Sequence, residues 1–91
     1  MTATIYIAPA VTEIGSRCNV YHIPYGIDRV SERLFSPSCT GLQRDMKLIG
    51  TLEWDYMERN FRIVCLDRSL VGDLTDDDFK NCIGGTYYLI D

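Results

Sequence analysis

The stretch that most constrains this chain is residues 46–66, where two strand-like runs flank a polar turn. Met46, Leu48, Leu52 and Trp54 share one parity, and Lys47, Thr51, Glu53 and Asp55 the other, with Ile49 as the exception. A period of two sends alternate side chains to opposite faces, so this is the pattern of a strand with one buried and one wet face. Glu58, Arg59 and Asn60 form the turn. Residues 61–66 (FRIVCL) return as a second strand whose mostly apolar character predicts a central place in the sheet.

A sheet begun this way needs more strands, and the rest of the chain supplies them. Residues 4–8 (TIYIA) are β-branched and aromatic and stop at Pro9, and residues 18–23 (CNVYHI) make another strand that stops at Pro24 and Gly26. Gly15 and Ser16 turn the chain between them, which predicts a hairpin. Ile27, Val30, Leu34 and Phe35 recur at helical spacing until Ser36-Pro37, after which residues 36–41 read as loop. Thr75 is placed to cap a second helix, with Asp78 at its third position and Leu74 positioned to staple onto Phe79. Gly84 and Gly85 close that helix, and residues 86–90 (TYYLI) form a last strand. The expected order is ββαββαβ: one α+β domain over residues 1–91, with about five mostly antiparallel strands and two short helices packed on one face.

Ninety-one residues allow a single core, and 46% hydrophobic against 24% charged residues is an ordinary globular balance. At this size net stability is on the order of 5 kcal/mol, and a homodimer is one way to widen that margin. No apolar run approaches the roughly 20 residues that span a bilayer, and no basic segment precedes the apolar stretch at the start, so a cytoplasmic protein without a membrane partner is expected. The four cysteines, Cys18, Cys39, Cys65 and Cys82, include no C-x-x-C pair and have one histidine for company. Buried free thiols are therefore expected, rather than a zinc site or a disulfide framework.

Charge divides the chain. Residues 1–45 carry four basic and four acidic side chains, whereas residues 46–91 carry five and nine, so the net charge of −4 belongs to the second half. That balance argues against direct nucleic-acid binding, which needs cations for phosphates, and points to a protein partner with a basic surface. The acidic residues Asp73, Asp76, Asp77 and Asp78 lack the alternating ligands, central glycine and closing glutamate of a calcium loop. Carboxylates in the first turn of a helix are explained by its macrodipole, and neither a metal nor a cofactor is expected. With Glu53, Asp55, Glu58 and Asp67 they supply an anionic surface, and Tyr56 at the hairpin turn adds an aromatic contact suited to an interface.

No catalytic signature is present. Cys39 and Arg44 have four residues between them where a cysteine phosphatase loop has five, and no histidine precedes the cysteine. Cys39 and His22 could serve as nucleophile and base, but nothing local places them together. Gly-rich phosphate cradles are missing. In size, acidity and lack of a catalytic motif the chain resembles the small acidic inhibitors carried by phages, anti-restriction and anti-CRISPR proteins among them. That likeness implies a non-enzymatic, stoichiometric inhibitor occupying a basic groove of a nucleic-acid-handling complex. The alternative expectation is a small-ligand-binding or sequestering protein, dimeric, with Tyr21, His22, Tyr25 and Arg44 around the ligand.

Overall fold

A computed structural model describes residues 2–9, 16–82 and 85–91. Five strands form one sheet, β1 (Ala3–Ile7), β2 (Arg17–Ile23), β3 (Lys47–Asp55), β4 (Asn60–Leu66) and β5 (Thr86–Ile90). Their spatial order is β4-β3-β2-β1-β5, and every neighbouring pair is antiparallel. Among the described residues three short helices accompany them, α1 (Val30–Leu34), α2 (Thr40–Asp45) and α3 (Asp76–Lys80), with a 3-10 turn at Arg68–Leu70. The α+β class and the strand count match the sequence pattern. Helix α2 is additional: residues 40–45 lie largely beyond the expected loop, and Leu42 is the buried residue that anchors them. The turn expected at Gly15 and the glycine Gly84 lie outside the described residues, while Ser16 and Gly85 both adopt left-handed backbone with φ near 55° and 63°.

The helices divide between the two faces of the sheet, not one as the pattern suggested. On the first face Ile5, Ile7, Cys18, Val20 and Leu52 pack against Phe79 of α3 and Val71. On the second, Tyr6 and Ile23 pack against Ile27, Val30, Leu34 and Leu42. Residues 4–7 of β1 are buried throughout, because this strand lies between β2 and β5 and has a layer on either side. The predicted start of α3 is present as drawn: the Asp78 carboxylate accepts from the Thr75 N–H at 2.7 Å and from its hydroxyl at 3.1 Å. Leu74 packs onto the cluster that holds Phe79.

The β3–β4 hairpin forms, with two departures from the simple alternation. Val20 faces Gly50 while Tyr21 faces Leu48, so Ile49 is an extra residue in β3. This bulge reverses parity, which buries Ile49 and leaves Leu48 56% exposed on the opposite face from Leu52. A second bulge skips Val64 between the pairs Thr51–Cys65 and Leu52–Ile63. Strand β4 also stands at the edge of the sheet rather than at its centre, and Val64 and Cys65 are exposed.

One buried polar group ties the second layer to the sheet. The Thr4 hydroxyl, fully buried, donates to the Tyr25 carbonyl at 2.8 Å and accepts from the Ile27 N–H at 3.0 Å. Replacing it with the isosteric valine leaves both backbone groups unpaired in a dry site, at a cost of about 1–3 kcal/mol. Urea denaturation of Thr4→Val is expected to show that loss, while Thr4→Ser retains most of the wild-type stability. A Thr4→Val chain as stable as the wild type would mean that packing alone seats this loop.

Candidate functional site

The strand ends fix where the anionic residues lie. β3 ends and β4 begins at the same end of the sheet where β5 begins, so Asp55, Tyr56 and Glu58 occupy that end. Asp73 borders a cleft with Leu89, Ile90 and Asp91, where β5 finishes at the other end. The two halves of the expected acidic surface are therefore not brought together.

Most of these carboxylates also have work inside the fold. Glu53 lies between two arginines of neighbouring strands, with Arg17 at 3.2 Å and Arg62 at 3.3 Å. Asp55 accepts from the backbone N–H groups of Met57 at 2.9 Å and Glu58 at 3.2 Å, which holds the hairpin turn. Asp76 pairs with Arg68, and Asp78 closes the capping arrangement of α3. Among the described residues Glu58, Asp73 and Asp77 make no side-chain hydrogen bond or ion pair. Asp67, the remaining member of the anionic set, accepts from both the hydroxyl and the N–H of Ser69, and these bonds hold its carboxyl below the ordinary range.

The turn these contacts build presents two large side chains to solvent. Tyr56 is 74% exposed and Met57 91%. The Asp55 bonds are joined by Arg59 N–H donating to the Asp55 carbonyl at 2.9 Å, and Arg59 takes the left-handed conformation that closes the turn. Beneath the tip, Trp54 meets Phe61 edge to face with ring centres 5.1 Å apart. A tip fixed in this way loses little conformational entropy on docking. The exposure of Tyr56 at this turn was legible in the sequence. That of Met57 was not read from the sequence, although the residue directly follows Tyr56 in the same turn.

The alternative ligand set separates. Tyr21 stacks on Tyr6 on the second face, its hydroxyl receiving a bond from Asn19 at 3.2 Å. His22, the next residue, sits opposite Ile5 and Lys47 on the first face. Tyr25 donates to Asp45 at 2.9 Å and borders a cleft of about 350 Å³ with Arg33, Ser36, Ser38 and Cys39. Burial and the neighbouring Asp45 carboxylate raise the Tyr25 pKa. Arg44 is exposed on α2 and does not border that cleft. Cys39 packs with the second-face cluster, so His22 and Cys39 lie on opposite sides of the sheet and form no nucleophile and base pair. No group of three metal-ligating side chains occurs among the described residues, and no helix among them is long and apolar enough to cross a membrane.

No known family, curated protein or solved structure matches this chain.

None of the four cysteines is in a disulfide, but burial is uneven and corrects the expectation of four buried cysteines: Cys18 and Cys82 are buried, Cys39 is half-buried and Cys65 is exposed because β4 is an edge strand. Burial and the nearby Cys82 push the Cys18 thiol up to about 11. Since the thiolate is the nucleophile, alkylation of the native chain at about pH 8 is expected to label Cys65 first and spare Cys18 and Cys82. With its folded pKa above the ordinary value of 9.0, Cys18 favours the fold below that value and the advantage fades as pH climbs toward 11. Peptide mapping after timed labelling checks the order.

Proposed function

We propose that this chain is a non-enzymatic binding protein that docks stoichiometrically on a larger protein assembly through the tip of its β3–β4 hairpin. The observation that carries this reading is the pair Tyr56 and Met57, held out in solvent on a turn that Asp55 locks. Exposed aromatic and methionine side chains on a rigid platform are the composition of a contact hot spot. Singly exposed apolar residues are ordinary, but two adjacent ones at the tip of a braced hairpin make a compact anchor.

The partner class favoured by this reading is a protein with a basic groove, including the nucleic-acid-handling complexes that small acidic phage inhibitors occupy. A net charge of −4 steers such an encounter, and the unpaired Glu58 stands at the tip itself. Asp73 adds anionic character at the far end, where a second segment of a long groove would meet it. Because Glu53 and Asp76 are neutralised by arginines, the salt dependence is moderate and the aromatic anchor sets the lifetime of the complex.

A second reading has its own observation: the cleft beside Tyr25, Arg33 and Cys39 falls within the volume range of small-ligand sites, though it is open to solvent. The same experiment separates the two. In affinity capture from native host lysate at low and high salt, the wild-type chain is expected to retain a protein complex. Tyr56→Ala/Met57→Ala is expected to lose it by roughly tenfold or more in affinity, with little change in melting temperature because both side chains are exposed. Capture that survives the double substitution overturns the tip as the contact. A small molecule seen by native mass spectrometry, with no protein captured, moves the function to the cleft.

A further inference from the structure

The two edges of the sheet are guarded very differently. β4 carries a bulge at Val64 and the charged Arg62, two devices that discourage pairing with another strand. β5 has neither: residues Thr86–Ile90 include no charge and no proline, and they run beside β1 in unbroken register from Ile90 opposite Ala3 to Thr86 opposite Ile7. Among the described residues its outer side has no neighbouring strand in the sheet. Shallow clefts of about 350 and 260 Å³ flank it, one beside Gly85 and Tyr87 and the other beside Leu89 and Ile90. A strand added at this edge would drop alternate side chains into them.

From this we infer that β5 pairs antiparallel with β5 of a second copy, joining two five-stranded sheets into one. The sequence of β5 is self-complementary about Tyr88. A two-fold axis through that residue sets Tyr88 beside its own copy, Tyr87 opposite Leu89, and Thr86 opposite Ile90, each pair on one face. Aromatic–aliphatic and β-branched pairs of this kind stabilise adjacent strands, and no like charges meet. Tyr87 and Leu89, 38% and 49% exposed on the second face, become covered.

Charge selects a second copy over an unrelated strand. The same register carries Asp91 of one copy opposite Gly85 of the other. Asp91 shares the parity of Tyr87 and Leu89, and so faces the cleft that Gly85 and Tyr87 border with Arg29. Among the described residues of one chain the Arg29 side chain is held only by exposed Glu32 at 3.3 Å, and Asp91 accepts one bond from Thr2 at 3.3 Å, so both can exchange partners. Two symmetric Asp91–Arg29 contacts then bracket the joined strands. The hairpin tips point to opposite ends of the joined sheet and stay open, so this pairing stands apart from the docking proposed for Tyr56 and Met57.

Sedimentation equilibrium of the full chain from micromolar to submillimolar concentration tests the pairing. The wild type is expected to dimerise. Leu89→Lys is expected to raise the dimer dissociation constant roughly tenfold or more by placing a charge on the edge. Arg29→Asp is expected to weaken the dimer by about three- to tenfold, and Arg29→Asp/Asp91→Arg to restore it to within about threefold of wild type. Arg29 and Asp91 are exposed, so the charge exchange decides the matter even if Leu89→Lys compromises folding. A wild type that remains monomeric throughout, a dimer indifferent to Leu89→Lys, or a reversed pair weaker than the single substitution would each overturn it.

Discussion

The fold depends on β1 being buried on both sides. A strand with one wet face needs only one covering layer, but residues 4–7 of β1 are all buried, so a layer must be held on each face. On the first face apolar contact suffices, with Ile5 and Ile7 set against Phe79. On the second, the connection from β2 to α1 leaves Pro24 and Gly26 and crosses the sheet as irregular backbone, whose polar groups need partners. The Thr4 hydroxyl supplies one donor and one acceptor at the crossing point. A threonine in the middle of a buried strand is therefore the condition for seating Ile27, Val30 and Leu34. Among the described residues no buried side-chain polar atom is left without a partner.

The bulges shape the other side of the sheet. At Gly50 a β-carbon would lie 2.6 Å from the Cys65 carbonyl oxygen, a clash with backbone that no rotamer relieves. Glycine there lets β3 and β4 approach closely where the register shifts. The consequence reaches both faces: Ile49 enters the core, Leu48 leaves it, and the far part of the hairpin keeps the alternation that sets Trp54 against Phe61. That far part carries the tip on which Tyr56 and Met57 are displayed.

The strands were legible because period-two patterning and proline or glycine stops are local signals, and the Thr75–Asp78 cap was legible because both partners lie within one helical turn. What escaped was everything set by long-range pairing. The apolar run of β4 looked central, yet its place at the edge follows from β3 having β2 on its other side, which no local pattern records. Helix α2 begins close after Pro37 within a segment rich in loop-forming residues, and its anchor is the single buried Leu42. The candidate site was half legible: Tyr56 and Glu58 could be read from their turn, but Glu53 looked available until the register placed Arg17 and Arg62 on either side of it.

This last point decides how acidic composition should be read in so small a chain. A carboxylate that neutralises two arginines, caps a turn or fixes a helix start contributes to net charge without contributing an open surface. Glu53, Asp55, Asp76 and Asp78 are all of that kind. Among the described residues, Glu58 and Asp73 have no internal partner and lie at opposite ends of the sheet, so any single partner that senses both must span the molecule, whose longest extent is 40 Å. A partner touching the hairpin end would meet chiefly the exposed Tyr56 and Met57 with Glu58 beside them. Under the docking proposed above, charge would govern the approach and the exposed tyrosine and methionine would govern the grip.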